Sequence, residues 1–225
     1  MKKNRAFAIL VVALLTVVAF VLFAQDKPAS DPAPRVVMSG ETFSTEGMEI
    51  AVLAGGCFWG IEAVFERVTG VIDVKSGYSG GDASTAKYHQ VGSGRTGHAE
   101  AVEIVFDPET VDYSTLLNVF FVVAHDPTQL NYQGPDHGTE YRSAIFYANE
   151  EQKQVATEFI RELERSGAYR DEIVTELNEL TEFYDAEPYH QDFVLKNPGY
   201  PYVVYWDLPK IEHLEKEFPE LISKR

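Results

Sequence analysis

The amino-acid sequence predicts an α+β fold: a two-layer α/β sandwich with a ferredoxin-like βαββαβ core and C-terminal additions. Short runs rich in apolar and β-branched residues alternate with amphipathic helical segments, and their order along the chain is β-α-β-β-α-β. The hydrophobic content of 45%, with 14 Phe and 12 Tyr, indicates an ordered chain that can bury a substantial core. Pattern and composition together define the expected architecture.

Hydrophobic periodicity places each element in chain order. Core strands are predicted at 48–54, 71–76, 99–106 and 141–148, and core helices at 58–68 and 113–124, the second capped by Asp112. The additions are a helix at 150–165, a strand near 173–177, a helix near 188–196, an apolar segment at 202–206 and a terminal helix from about Pro209. Two long loops, 78–98 and 125–140, separate these elements, and loops of this length are usually functional.

The N-terminal segment predicts export. Lys2, Lys3 and Arg5 precede an apolar run of residues 6–24, so residues 1–24 are expected to be a signal peptide or a membrane anchor. Basic residues before the run place the remainder outside the cytoplasm, in the periplasm or another extracytoplasmic space. Cleavage after about Ala24 and retention as an anchor both stay open. Residues 25–47 are predicted to be a polar linker, and residues 48–225 the folded domain.

Charge and cysteine content exclude several classes of function. With 19 Lys and Arg against 35 Asp and Glu, the net charge is −16, so we expect no nucleic-acid partner and no membrane contact beyond the N-terminal segment. The single cysteine excludes an intramolecular disulfide. The six histidines lack zinc-site spacing, so no metal is expected. We also expect no bound cofactor. We expect a monomer.

Cys57 is the candidate nucleophile. It follows Gly55 and Gly56 at a predicted strand-to-helix turn, where free backbone N–H groups and the helix dipole favour a thiolate. The sequence therefore predicts a lowered thiol pKa. A small buried residue closing a tight turn is the alternative.

The loops supply candidate polar partners. Glu100 shares a strand face with Val102, and a carboxyl on a buried face would have a raised pKa and could donate a proton; a surface position for Glu100 is the alternative. Tyr78, Asp136 and Tyr141 could join it only if the fold brings them to Cys57. A cysteine–histidine acyltransferase or hydrolase is a rival enzyme, although two aromatic residues after the nucleophile suit a small apolar group better.

Four sequence blocks in unbroken order resemble the A-type peptide methionine sulfoxide reductases. They are Gly-Cys-Phe-Trp-Gly at 56–60, Gly-Tyr-x-Gly-Gly at 77–81, Thr-Gly-His-Ala-Glu at 96–100 and Gly-Thr-Glu-Tyr-Arg-Ser at 138–143. The resemblance covers about residues 50–200. It implies reduction of methionine-(S)-S-oxide, free and in proteins, as a repair of oxidative damage.

The resemblance also implies roles for individual residues. Cys57 would attack the sulfoxide and become a sulfenic acid, and Glu100 would protonate the oxygen. The substrate's methyl group would lie against Phe58 and Trp59, which follow the nucleophile. Polar side chains would bind the sulfoxide oxygen or a water molecule. The substrate-binding residues are Gly56, Phe58, Trp59 and, as a weaker match, His190; the polar partners are Tyr78, Asp136 and Tyr141.

The chain departs from the family pattern at three points. Glu140 stands where Gln is usual, Pro135 stands where Asn is usual, and no second cysteine is present to resolve the sulfenic acid. We therefore expect an external reductant, either a thioredoxin-like protein or a small thiol. A membrane-anchored module that binds methionine sulfoxide without turnover is the non-enzymatic alternative.

Overall fold

A six-stranded sheet organises residues 47–223, which are the residues described by the computed structural model. The strand order is β7-β6-β1-β3-β2-β8. The strands are β1 Glu49–Gly55, β2 Val71–Ser79, β3 Ala99–Phe106, β6 Ser143–Tyr147, β7 Glu176–Glu179 and β8 Phe183–Asp185, and a separate small hairpin pairs β4 Tyr132–Gln133 with β5 Asp136–His137. All neighbours in the main sheet are antiparallel except β6 and β7. The central order β6-β1-β3-β2 is the predicted ferredoxin-like core.

Helices form the second layer of the sandwich. They are α1 Phe58–Phe65, α2 Tyr88–Val91, α3 Tyr113–Val119, α4 Glu150–Ser166, α5 Phe193–Lys196 and α6 Leu208–Glu217. The main core joins one sheet face, with Leu53, Val102 and Ile145, to buried side chains of α1, α3 and α4. A smaller cluster of alanines, Val52 and Phe146 covers the opposite face with Leu180 and Phe183. The predicted α+β class is confirmed.

The strand β3 has the predicted bounds because its apolar and polar residues alternate and its partners β1 and β2 lie on both sides. Glu100 pairs directly with Tyr78 of β2, and Val102 pairs with Leu53 of β1. Opposed residues share a face, so the Glu100 carboxyl points toward the helical layer. β2 runs three residues beyond the predicted strand and carries Tyr78 into the sheet.

Several boundaries differ from the predictions for identifiable reasons. The helix α1 ends at Phe65, because Val68 forms a bridge with Ile222 near the end of the described chain. The predicted helix at 188–196 shortens to Phe193–Lys196, since Asp192 has a left-handed φ of 53° that precludes a continuous helix. The short edge strand β8 was not predicted, and β7 begins three residues later than the predicted strand at 173–177.

Within residues 47–223, no helix is long and apolar enough to cross a membrane. The predicted signal peptide or anchor at 1–24 lies outside the described residues. The predicted linker at 25–47 also lies outside them, except for Gly47.

The N-terminus of α3 tests a local prediction. The Asp112 carboxylate accepts hydrogen bonds from the Thr115 backbone N–H at 2.6 Å and the Ser114 hydroxyl at 2.9 Å. We expect Asp112→Ala to lower the free energy of unfolding by about 1 kcal/mol, because it removes the cap. Asp112→Asn keeps a capping oxygen and should lose less. Urea denaturation measures both, and equal losses would contradict the capping role.

Candidate active site

Cys57 lies at the junction between β1 and α1. Cys57 is the N-cap residue of α1, so it lies at the predicted strand-to-helix turn. Gly56 has a φ of +102°, and a side chain there would lie 2.6 Å from the Gln133 side chain, so only glycine fits the turn. The Cys57 side chain is 8% exposed, and Cys57 is a free thiol.

The expectation of a lowered thiol pKa was wrong. Burial raises the pKa of the Cys57 thiol well above its usual value, and the charges of Glu100 and Asp207 raise it further. The Trp59 backbone N–H acts in the opposite direction but does not outweigh burial. The resting thiol is therefore protonated, and a proton must leave it during any reaction.

Glu100 is the buried acid of the site. It is 2% exposed, and its Oε2 accepts a hydrogen bond of 3.2 Å from the Phe58 backbone N–H. Burial raises the pKa of Glu100 to about 8, helped by the charges of Asp136 and Glu140 and opposed by the Phe58 N–H. The surface alternative is excluded, and the carboxyl is mostly protonated at neutral pH.

An aromatic wall follows the thiol. Phe58 is fully buried, and its ring centroid lies 5.9 Å from that of Tyr78 and 5.0 Å from that of His190. Trp59 stacks on Phe193 with 3.7 Å between centroids. The Trp59 indole N–H donates to His190 Nδ1 at 3.1 Å, so neutral His190 carries its proton on Nε2. His190 thus fixes the orientation of the indole.

The polar candidates have different partners. The Tyr78 hydroxyl donates to Glu187 Oε2 at 2.9 Å, and Asp136 accepts a short hydrogen bond from the Tyr202 hydroxyl. Burial raises the pKa of Tyr141, and the charges of Glu100 and Asp136 and the Cys57 thiol also raise it. Tyr141 therefore lies within electrostatic range of the thiol and both carboxyl groups.

The two substituted positions lie at this site. Glu140 is 4% exposed, its Oε2 has no hydrogen-bond partner among the described residues, and its charge contributes to the raised pKa of Glu100. Pro135 lines a cleft of about 240 Å³ that opens on Cys57. Both departures therefore alter the surroundings of the acid or the thiol.

Sequence reasoning missed five residues. Glu187 and Tyr202 bind predicted site residues, and Asp207 is a buried carboxyl whose charge acts on the thiol. The backbone N–H of Tyr88 donates to Glu187, and Lys210 lines the cleft. The sequence pattern placed Tyr202 in the apolar segment 202–206, but it did not indicate that this side chain belongs to the site.

No histidine supplies a base to the thiol. Within residues 47–223, no hydrogen bond joins a histidine to the Cys57 sulfur. His125 instead contacts the Phe120 carbonyl and the Ser143 hydroxyl, and His98 contacts the Asp82 carbonyl. Burial lowers the pKa of His125 to about 4. The same residues contain no group of three potential metal ligands. The site is that of a thiol enzyme that works with a neutral carboxylic acid.

Comparison with known proteins identifies the family. Residues 49–221 match the family described as peptide methionine sulfoxide reductase. A peptide methionine sulfoxide reductase MsrA 2 of Mesorhizobium japonicum is 54% identical over 179 residues, covering 80% of this chain and 92% of the relative. The chain belongs to this family, and the predicted enzyme class is confirmed.

Solved structures show the same fold. Reduced Mxr1 from Saccharomyces cerevisiae has a TM-score of 0.63 and 33% identity, with coverage of 70% of this chain and 90% of Mxr1. Methionine sulfoxide reductase A of Corynebacterium diphtheriae has a TM-score of 0.59 and 36% identity, with coverage of 75% and 84%.

The acid role of Glu100 predicts a specific pH dependence. A proton donor with a pKa of about 8 is active below that pH and is lost as the pH rises through it. We expect Glu100→Gln to slow sulfenic acid formation about a hundredfold at neutral pH and to abolish the decline above pH 8. Rapid-quench kinetics across pH 6–10 measures this. Glu103→Gln, on the same strand, is the control; an unchanged profile in Glu100→Gln would contradict the role.

The Trp59–His190 hydrogen bond predicts an effect on binding. His190→Ala removes the acceptor, so we expect the indole to reorient and KM for a sulfoxide to rise several-fold, roughly the effect of one lost hydrogen bond. His190→Asn places an acceptor near the Nδ1 position and should retain more affinity. Steady-state kinetics with tryptophan fluorescence separates the variants, and identical KM values would disprove the orienting role.

Proposed function

We propose that this chain reduces methionine-(S)-S-oxide, free and within proteins, to methionine through a sulfenic acid on Cys57. The observation that carries the proposal is the hydrogen bond between the Glu100 carboxyl and the Phe58 N–H, one residue after the thiol. This hydrogen bond, together with the raised pKa of Glu100, supports the pairing of a protonated acid with a buried nucleophile. A sulfoxide needs both groups, since its oxygen becomes a leaving group only when it is protonated.

The reaction is balanced in protons and electrons. The Cys57 sulfur attacks the sulfoxide sulfur while Glu100 protonates the oxygen, and the resulting Glu100 carboxylate takes up the thiol proton. The attack forms a bond between the two sulfur atoms. This bond and the substrate S–O bond then break as the hydroxyl moves to the Cys57 sulfur, which leaves a sulfenic acid on Cys57 and releases methionine. Two electrons move from the cysteine sulfur to the substrate sulfur. Since both Cys57 and Glu100 begin protonated, no proton needs to come from solvent.

The remaining residues position the substrate. The S-methyl group would lie against Phe58 and the oriented Trp59 indole, an apolar contact that excludes water. The close approach requires Gly56, where a side chain would meet Gln133. Tyr141 and Asp136 would bind the oxygen or a water, and Tyr78 would contribute by redirecting its hydroxyl from Glu187.

An external thiol completes the cycle. The first thiol condenses with the sulfenic acid to form a mixed disulfide and water, and a second thiol releases Cys57 and a disulfide product. The sequence holds one cysteine, so both thiols belong to other molecules. A thioredoxin-like protein supplies both from one chain, and a small thiol supplies them in two encounters.

The alternatives have less support. Acyl transfer needs a base at the thiol, and His98 and His125 are hydrogen-bonded to other groups. A module that only binds sulfoxide needs no buried acid at the N-terminus of α1, yet Glu100 occupies that place. Neither rival accounts for the neutral acid and the family membership together.

We further propose that the enzyme acts outside the cytoplasm. Lys2, Lys3 and Arg5 before the apolar residues 6–24 support export of the following domain. Cell fractionation of the full chain tests this, and recovery of the domain in the cytoplasm would contradict it.

A single turnover without reductant tests the reaction. With the separated epimers, we expect one equivalent of methionine from the S epimer and a mass gain of one oxygen atom on Cys57, because no resolving thiol is present. Cys57→Ser should give neither product. Mass spectrometry and amino-acid analysis measure both, and equal turnover by Cys57→Ser would sink the proposal. Adding a thioredoxin system or glutathione in separate reactions identifies the reductant.

A further inference from the structure

A cleft beside the thiol has one wall that the proposed chemistry does not use. Its volume is about 240 Å³, and its lining includes Cys57, Asp136, Tyr202, Trp206 and Lys210. This volume is below the range of roughly 300–1,000 Å³ that holds drug-sized ligands, so the cleft suits a molecule of amino-acid size. Trp206 supplies an aromatic side, and Lys210 supplies a positive charge.

Lys210 lies in the cleft without a hydrogen-bonded partner among the described residues. Lys210 is the third residue of α6, and its side chain lines the cleft. It is half-buried, and it forms no hydrogen bond or ion pair with any residue in 47–223. Four other lysines of the described chain form ion pairs with acids: Lys75–Asp185, Lys153–Glu150, Lys196–Asp192 and Lys216–Glu217.

The Lys210 ammonium group lies against the same helix as the thiol. A side chain built on Gly60, in the first turn of α1, would come within 3.2 Å of Nζ. It would also come within 2.4 Å of an oxygen of Asp207, a buried carboxyl without a hydrogen-bond partner among the described residues. No ion pair joins Lys210 to Asp207 within this part of the chain. The ammonium group is therefore held beside the active-site helix with its hydrogen-bond donors free.

The cleft also carries a carboxyl group. Asp136 lines it and already accepts a hydrogen bond from Tyr202, and the charge of Lys210 acts on both Asp136 and Asp207. An anionic group entering this cleft would be repelled at the Asp136 side and attracted at the Lys210 side. The charge distribution thus orients a ligand that carries one carboxylate.

We propose that Lys210 binds the α-carboxylate of free or C-terminal methionine sulfoxide. Three carbons separate that carboxylate from the sulfoxide sulfur, and Cys57 and Lys210 line the same cleft of about 240 Å³, so the cleft suits a molecule with both groups. A methionine sulfoxide within a chain has an amide in place of the carboxylate and gains no such contact. Lys210 is a specificity residue, and the inference rests on the proposed sulfoxide reduction.

Two substrates that differ only in this charge provide the test. They are N-acetyl-methionine-(S)-S-oxide, which has a free carboxylate, and its N-methylamide, which has none. The ratio of kcat/KM for the acid to that for the amide is measured from sulfenic acid formation in single turnovers, so the reductant plays no part. We expect Lys210→Met to lower this ratio about tenfold, the effect of one charge-assisted hydrogen bond. Lys210→Arg keeps the charge and should restore most of the ratio.

Matched controls separate charge from structure. Lys216→Met removes the same charge from the far end of α6, and its ratio should equal that of the parent. In the unmodified protein, added salt should lower the ratio, a result that needs no variant to fold. An equal ratio in Lys210→Met and the parent, or a ratio insensitive to salt, would overturn the proposal, as would an equal fall for both substrates. If the parent reduced neither substrate, sulfoxide reduction itself would fail.

Discussion

The hydrogen bond from the Phe58 N–H to Glu100 is the interaction on which the site depends. It joins the first turn of α1 to β3, a strand paired on both sides within the sheet. The bond fixes the acid relative to the thiol, because Cys57 immediately precedes Phe58. It also satisfies one of the unpaired N–H groups that every helix N-terminus carries. This hydrogen bond therefore caps the N-terminus of α1 and holds the acid near the thiol.

The fold could be predicted where local patterns were strong. The bounds of β3 follow from its alternating residues, and the start of α3 follows from the Asp112 cap. The segment before α5 has a helical composition, yet the Gln191 side chain bonds to both the N–H and the carbonyl of Ser76 in β2. These tertiary contacts, together with the left-handed Asp192, decide the conformation. β8 was missed because three residues carry too little periodicity to identify a strand.

The motifs singled out a thiol and an acid but not their electrostatics. In the structure, the Glu100 carboxyl accepts a hydrogen bond from the backbone N–H of Phe58, the residue after Cys57. The direction of the thiol pKa was wrong because a helix N-terminus is visible in sequence, whereas burial and the nearby Asp207 depend on packing. Lys210 was overlooked for the same reason, because its position in the cleft beside α1 depends on tertiary packing. Local reasoning identifies reactive groups, and only the assembled fold defines their protonation states.

The burial of Cys57 has a consequence for the lifetime of the oxidised enzyme. A sulfenic acid without a neighbouring thiol is open to further oxidation to a sulfinic acid, which ordinary thiols do not reverse. At 8% exposure, the sulfur is reached mainly through the narrow cleft that also admits substrate. A peroxide molecule is smaller than the substrate, so the same cleft admits it to the sulfenic acid. A single-cysteine repair enzyme of this kind therefore depends on a reductant that reaches the sulfur before a second oxidant does.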